Sequence, residues 1–89
     1  IPNDVDVLIT HSPPLGHLDL YPPVERWGCR YLLEKVEKLC PSLHVFGHVH
    51  YCYGCVSNGP TTFVNAASEH ASKDGSFNRP IIYYIPKKV

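Results

Sequence analysis

The stretch Leu43-His44-Val45-Phe46-Gly47-His48-Val49-His50 decides how this chain is read. Leu43 to Phe46 is a short run of strand-forming residues that stops at Gly47. Gly47 lets the chain bend just before two histidines, His48 and His50. Working back toward the N-terminus, Val5-Asp6-Val7-Leu8-Ile9 is a second short apolar run. It reads as a buried strand ending in the proline-rich loop Thr10-His11-Ser12-Pro13-Pro14. Between the two runs, Val24 to Leu39 takes a helical pattern. Cys29, Leu32, Leu33, Val36 and Leu39 recur at spacings of three and four, which puts them on one face. Glu34 and Lys38 are four apart in the favourable order. Cys40-Pro41 ends the helix, because the residue before proline avoids the α region. Strand, helix and strand predict a βαβ unit, hence a parallel pair in a sheet covered on both faces.

Beyond His50 the pattern becomes β-rich. Tyr51 to Val56 is a strand-prone stretch, Ser57-Asn58-Gly59-Pro60 is a turn, and Thr61 to Asn65 is the returning strand. Residues 66–79 read as a polar surface loop. Ile81-Ile82-Tyr83-Tyr84-Ile85 reads as a last strand before Pro86 and two lysines. Pattern alone therefore gives a mixed α/β chain with a β-rich C-terminal part.

The chemistry-bearing residues fall where strands end. His11 follows the first strand, and His48 and His50 follow the second. In a parallel unit both ends lie on one edge of the sheet, the edge at which open α/β sheets bind ligands. Three imidazoles carried by two loops can bind a borderline divalent ion such as zinc, iron or manganese. His17 and Asp19 lie on the loop after His11, where they could contact substrate or orient a ligand. His44 sits inside a strand and reads as a packed or hydrogen-bonded residue. Trp27 and Tyr31, four apart, read as packing residues of the helix. His70 falls in the surface loop.

Composition bounds the remaining possibilities. The 89 residues carry 8 basic and 8 acidic side chains, so no net charge calls for a nucleic-acid or anionic-membrane partner. No apolar run approaches the roughly 20 residues of a membrane helix. No secretory leader is visible, so the four cysteines are expected as free thiols in a reducing, cytoplasmic setting. A chain this short buries only about two-thirds of its unfolded surface, which leaves a marginal core unless it packs on something else. It begins at Ile1 and contains no Met, and reads as a single partial domain, residues 1–89, cut from something longer.

Thr10-His11-Ser12-Pro13-Pro14-Leu15-Gly16 and His44-Val45-Phe46-Gly47-His48-Val49-His50 together resemble the last two motifs of the calcineurin-like metallophosphoesterases. That family carries an early Asp-x-His, then Gly-Asp-x-x-Asp, Gly-Asn-His, a single His after a strand, and finally Gly-His-x-His. The match is nearest to the metallophosphoesterase-domain-containing subfamily, whose Asn-Ala-Ser stretch is similar to Asn65-Ala66-Ala67-Ser68. The resemblance runs over about residues 4 to 86. It implies the C-terminal half of a two-sheet αββα sandwich, and hydrolysis of a phosphodiester or phosphomonoester by the full-length parent. It also implies two divalent ions (Mn, Fe, Zn or Mg), with His11 and His48 on one and His50 on the other. The partners implied are a small phosphoester and the missing N-terminal half of the domain.

The first three motifs are absent here, and with them the bridging Asp, the Asn ligand and the catalytic His. The segment is therefore expected to hold no catalytic residue of its own and to be inactive alone. Ser12 stands where the subfamily often has Gly, and Cys52 where an exposed polar residue is common. A second reading stays open: a non-catalytic zinc-binding or interaction module built from His48, His50, Cys52 and Cys55.

Overall fold

The computed structural model describes residues 4–22, 24–68 and 77–84. In chain order the elements are β1 (Val7–Ile9), β2 (Leu20–Tyr21), β3 (Glu25–Arg26), α1 (Arg30–Leu39), β4 (Leu43–Phe46), a 3-10 turn (His50–Cys52), β5 (Gly54–Ser57) and β6 (Thr62–Asn65). Four strands form a mixed sheet in the order β1-β4-β6-β5, and β2 and β3 form a separate antiparallel ribbon. The protein is thus a small α/β fold.

The βαβ expectation holds. β1 and β4 are parallel, with Leu8 opposite His44, and α1 is the crossover between them. β6 then adds parallel to β4, with His44 opposite Phe63 and Phe46 opposite Asn65. β5 closes the far edge antiparallel to β6. Side chains alternate along a strand. Leu8, Phe46 and Phe63 accordingly turn to the face that α1 covers. There Val36 of the helix meets Phe46 and Phe63, with Leu8, Leu18 and Leu32 around them. Each such buried side chain contributes about 1.5–3 kcal/mol.

The helix is shorter than its sequence pattern. It begins at Arg30, not Val24, because Glu25 and Arg26 pair with Tyr21 and Leu20 instead. Trp27 therefore lies off the helix, and Tyr31 is 81% exposed rather than packed. At the other end Cys40 turns left-handed at φ 48°, its N–H bonds the Val36 carbonyl at 2.8 Å, and Pro41 stops the helix as expected.

Other boundaries also moved. The first strand spans Val7–Ile9 only, and the returning strand starts at Thr62. Residues 50–52 form a 3-10 turn, so the strand-prone stretch is extended only from Gly54. Residues 81–84, expected as a strand, pair with no described strand, and Ile82 and Tyr84 are exposed. Ile85 and His70 lie outside the described residues. The start of the expected surface loop is buried at Ala67, whose carbonyl accepts from the Asn78 side chain at 2.8 Å. No helix among the described residues is long and apolar enough to cross a membrane.

Candidate metal-binding edge

Parallel pairing brings the C-terminal ends of β1, β4 and β6 to one edge, and the loops that leave them are tied together there. Thr10 N–H bonds the Val45 carbonyl at 2.9 Å, and Gly47 N–H bonds the His11 carbonyl at 3.0 Å. These two bonds extend the β1–β4 ladder into the loops. The result is a close approach of two imidazoles 37 residues apart: the His11 and His48 rings lie 5.0 Å apart, centre to centre, tilted by 48°. Both are exposed. Rings at that spacing can turn a nitrogen each toward one ion at the usual 2.0–2.1 Å bond length, taking zinc as the example.

The turn that presents His48 is strained. Its φ is +70°, and Val49 N–H bonds the Gly47 carbonyl at 2.8 Å, two residues back. That is a γ-turn centred on His48, in its rare positive-φ form. A non-glycine residue held there costs on the order of 1–3 kcal/mol, and such strain collects at functional sites. The bend expected at Gly47 thus falls one residue later. A Cβ on Gly47 would only reach ordinary contact with Ala67.

Asn65, at the end of β6, holds this turn in place. Its side-chain amide donates to the Val49 carbonyl at 2.8 Å and to the Leu18 carbonyl at 3.1 Å, while its oxygen accepts from Ala67 N–H at 3.1 Å. The residue is fully buried. One side chain therefore links the loop after β1, the turn after β4 and the loop after β6. The sequence showed Asn65 only as part of a resemblance, because its partners are backbone carbonyls 16 and 47 residues away.

His44 is buried, as read from the strand. The Thr10 hydroxyl gives its one hydrogen to the Ser12 carbonyl at 2.7 Å, so its oxygen accepts from His44 Nε2–H at 3.0 Å. Nδ1 is then a lone pair with no partner among the described residues. Burial, and then the nearby His17, lower the pKa of His44 to about 4, so the ring is neutral. His17 itself is half-buried and stacks flat on Phe63, with ring centres 4.0 Å apart.

Asp19 lies inside its loop. Its carboxylate accepts from Gly16 N–H at 3.0 Å, Gly28 N–H at 3.1 Å and Arg26 Nη1 at 2.7 Å, and it is fully buried. His50 is half-buried at the start of the 3-10 turn. Among the described residues, no group of three or more His, Cys, Asp or Glu is placed to hold a metal ion. The edge thus offers His11 and His48 as a pair of nitrogen donors, which fits part of a ligand shell. The four residues of the zinc-module reading are not gathered. Cys52 turns its thiol to the Leu20 carbonyl at 3.1 Å, burial pushes that thiol above its usual range, and Cys55 is exposed on β5. All four cysteines are free.

No family model matches the chain. A UPF0046 protein of Caenorhabditis elegans is 56% identical over 89 residues, and a second one is 46% identical over 87. Human metallophosphoesterase domain-containing protein 1 is 54% identical over 88 residues, or 97% of this chain. Over nearly its whole length the chain is similar to these metallophosphoesterase-related proteins. It spans between 22% and 30% of the length of these relatives.

Proposed function

We propose that the protein acts in metal-dependent hydrolysis of a phosphoester, and that this segment supplies the histidine part of the metal site, His11, His48 and His50. The observation that carries the reading is the His11–His48 approach at the carboxyl edge of a parallel strand pair. The names of the metallophosphoesterase relatives support the same chemistry. Divalent ions, when bound, neutralise phosphate oxygens and acidify a water. The chain's own part is to hold two imidazoles at fixed directions, through the strained His48 turn and the Asn65 clamp. Among the described residues no carboxylate completes a metal site with them, so the reading takes the remaining ligands from a longer domain.

The same reading makes the four-stranded sheet one layer of a two-sheet αββα sandwich. Its support is confined to the edge strand: on the face away from α1, Leu43 and Val64 are buried, but Ile9 is 74% exposed.

The test uses the native full-length gene product and hydrolysis of bis(4-nitrophenyl) phosphate with added manganese. His11→Ala and His48→Ala are each expected to lower kcat/KM by about 100-fold or more, a size typical of lost metal-site function. Native activity in both folded variants would refute the reading. The 89-residue segment alone is expected to be inactive in the same assay.

A further inference from the structure

Asp19 is a buried carboxylate whose contacts converge on one short segment, and that segment presents a tryptophan. The carboxylate binds the Arg26 side chain and the Gly28 N–H, while its own backbone carbonyl accepts from Trp27 N–H at 3.0 Å. Residues 26, 27 and 28 are therefore each fastened to one residue. Gly28 has no alternative, since a Cβ there would overlap the Pro14 carbonyl, the Leu15 Cα and the Asp19 carboxylate. The indole is oriented as well as anchored. Its Nε1–H donates to Glu25 at 3.0 Å, and Tyr21 stacks on it with ring centres 4.1 Å apart and planes within 6°. Tyr51 meets Tyr21 edge-on at 5.2 Å.

This rigid aromatic wall stands beside the metal-binding edge. The Trp27 and His48 rings are 5.6 Å apart, centre to centre. Yet Trp27 remains 41% exposed and Tyr51 49% exposed. Core packing does not account for them, because the core cluster is Val36, Phe46 and Phe63. Fixing an exposed ring before a ligand arrives is how a stacking site lowers the ordering cost of binding.

We propose that Trp27, backed by Tyr21 and flanked by Tyr51, is the platform for a flat aromatic group esterified to the phosphate that the metal edge holds. The proposal rests on the metal-site reading above and adds the substrate class. Asp19 is then a positioning residue that acts through Trp27, and the aromatic group is the ring of an aryl phosphate.

The experiment is calorimetric titration of the manganese-loaded full-length protein with inorganic phosphate, ethyl phosphate and phenyl phosphate. Phenyl phosphate is expected to bind roughly 3- to 10-fold more tightly than ethyl phosphate. Trp27→Ala should bring that ratio close to one, and Trp27→Phe should keep most of it. Should Trp27→Ala fail to fold, Tyr51→Ala carries the test, with an expected fall in the ratio of about 2-fold. An equal affinity for the two esters in the wild type overturns the platform. So does an unchanged ratio in the folded variants, which would leave the indole as a seat for another segment of the protein. If manganese brings no binding of inorganic phosphate, the metal-site reading falls first, and the platform with it.

Discussion

At the scale of single residues, two buried polar side chains govern how the edge is held. His44 is neutral in the folded chain, with a pKa lowered to about 4, against 6.5 when unfolded. Above pH 6.5 neither state takes the proton, and stability is at its full value. Between pH 6.5 and 4 the unfolded chain binds a proton that the folded chain refuses, so stability falls as pH falls, at most by about 1.4 kcal/mol per unit. Below pH 4 this loss levels off. Urea midpoints measured from pH 7 down to 4.5 should therefore drop, and His44→Gln should flatten the slope; an equal slope in both would sink the assignment. Asn65→Asp keeps size but loses both donors, which leaves the Leu18 and Val49 carbonyls unpaired in the interior. That should cost at least about 2 kcal/mol in thermal or urea unfolding. It should also weaken manganese binding in the full-length protein, because the Val49 carbonyl belongs to the His48 turn. Of these two residues the sequence exposes only His44, through its place in an apolar run. Asn65 reads as the polar last residue of a strand, since nothing local records that its amide faces two distant carbonyls.

At the scale of elements, the sequence reads well where one local signal is unopposed. Leu43–Phe46 and the stop at Cys40-Pro41 appear as expected, because strand-forming residues and a proline leave little choice. The helix start was not legible. Val24 to Cys29 fits a helical pattern, but a buried carboxylate recruits Arg26 and Gly28 and holds the segment as part of a ribbon. That competition is long-range, so no periodicity shows it. The two glycines flanking the site can be told apart by the same geometry. Gly28→Ala forces a methyl into backbone atoms of residues 14 and 15 and into the Asp19 carboxylate, and should cost at least about 2 kcal/mol. Gly47→Ala meets only ordinary contacts and should stay within about 1 kcal/mol of wild type. Denaturant midpoints of the two variants, side by side, decide this. Equal losses would mean that the turn, not the Asp19 clamp, sets the loop geometry.

At the scale of the whole molecule, the face of the sheet away from α1 is covered only in part: Leu43 and Val64 are buried there, and the edge-strand residue Ile9 is not. One face carries α1 and the cluster of Val36, Phe46 and Phe63. Ile9 lies on the other face and is 74% exposed in the 89-residue chain. An isolated exposed isoleucine needs no explanation, but its position here is informative. It occupies the last residue of an edge strand, immediately before the loop that carries His11. Among the described residues the edge also stops short of a complete ligand shell. A second layer packed on this face would bury Ile9 and bring further ligands toward His11 and His48 at once. The sandwich proposal therefore makes Ile9 a core residue of the full-length protein. Ile9→Asp should then destabilise that protein by about 2–4 kcal/mol, the cost of placing a carboxylate where an apolar side chain is buried. If Ile9 stays solvent-exposed in the full-length protein, the same substitution should change stability by no more than about 0.5 kcal/mol. Urea unfolding of the full-length wild type and Ile9→Asp separates the two cases. The smaller value would remove the second sheet from this face, and with it the route by which the missing ligands reach His11 and His48.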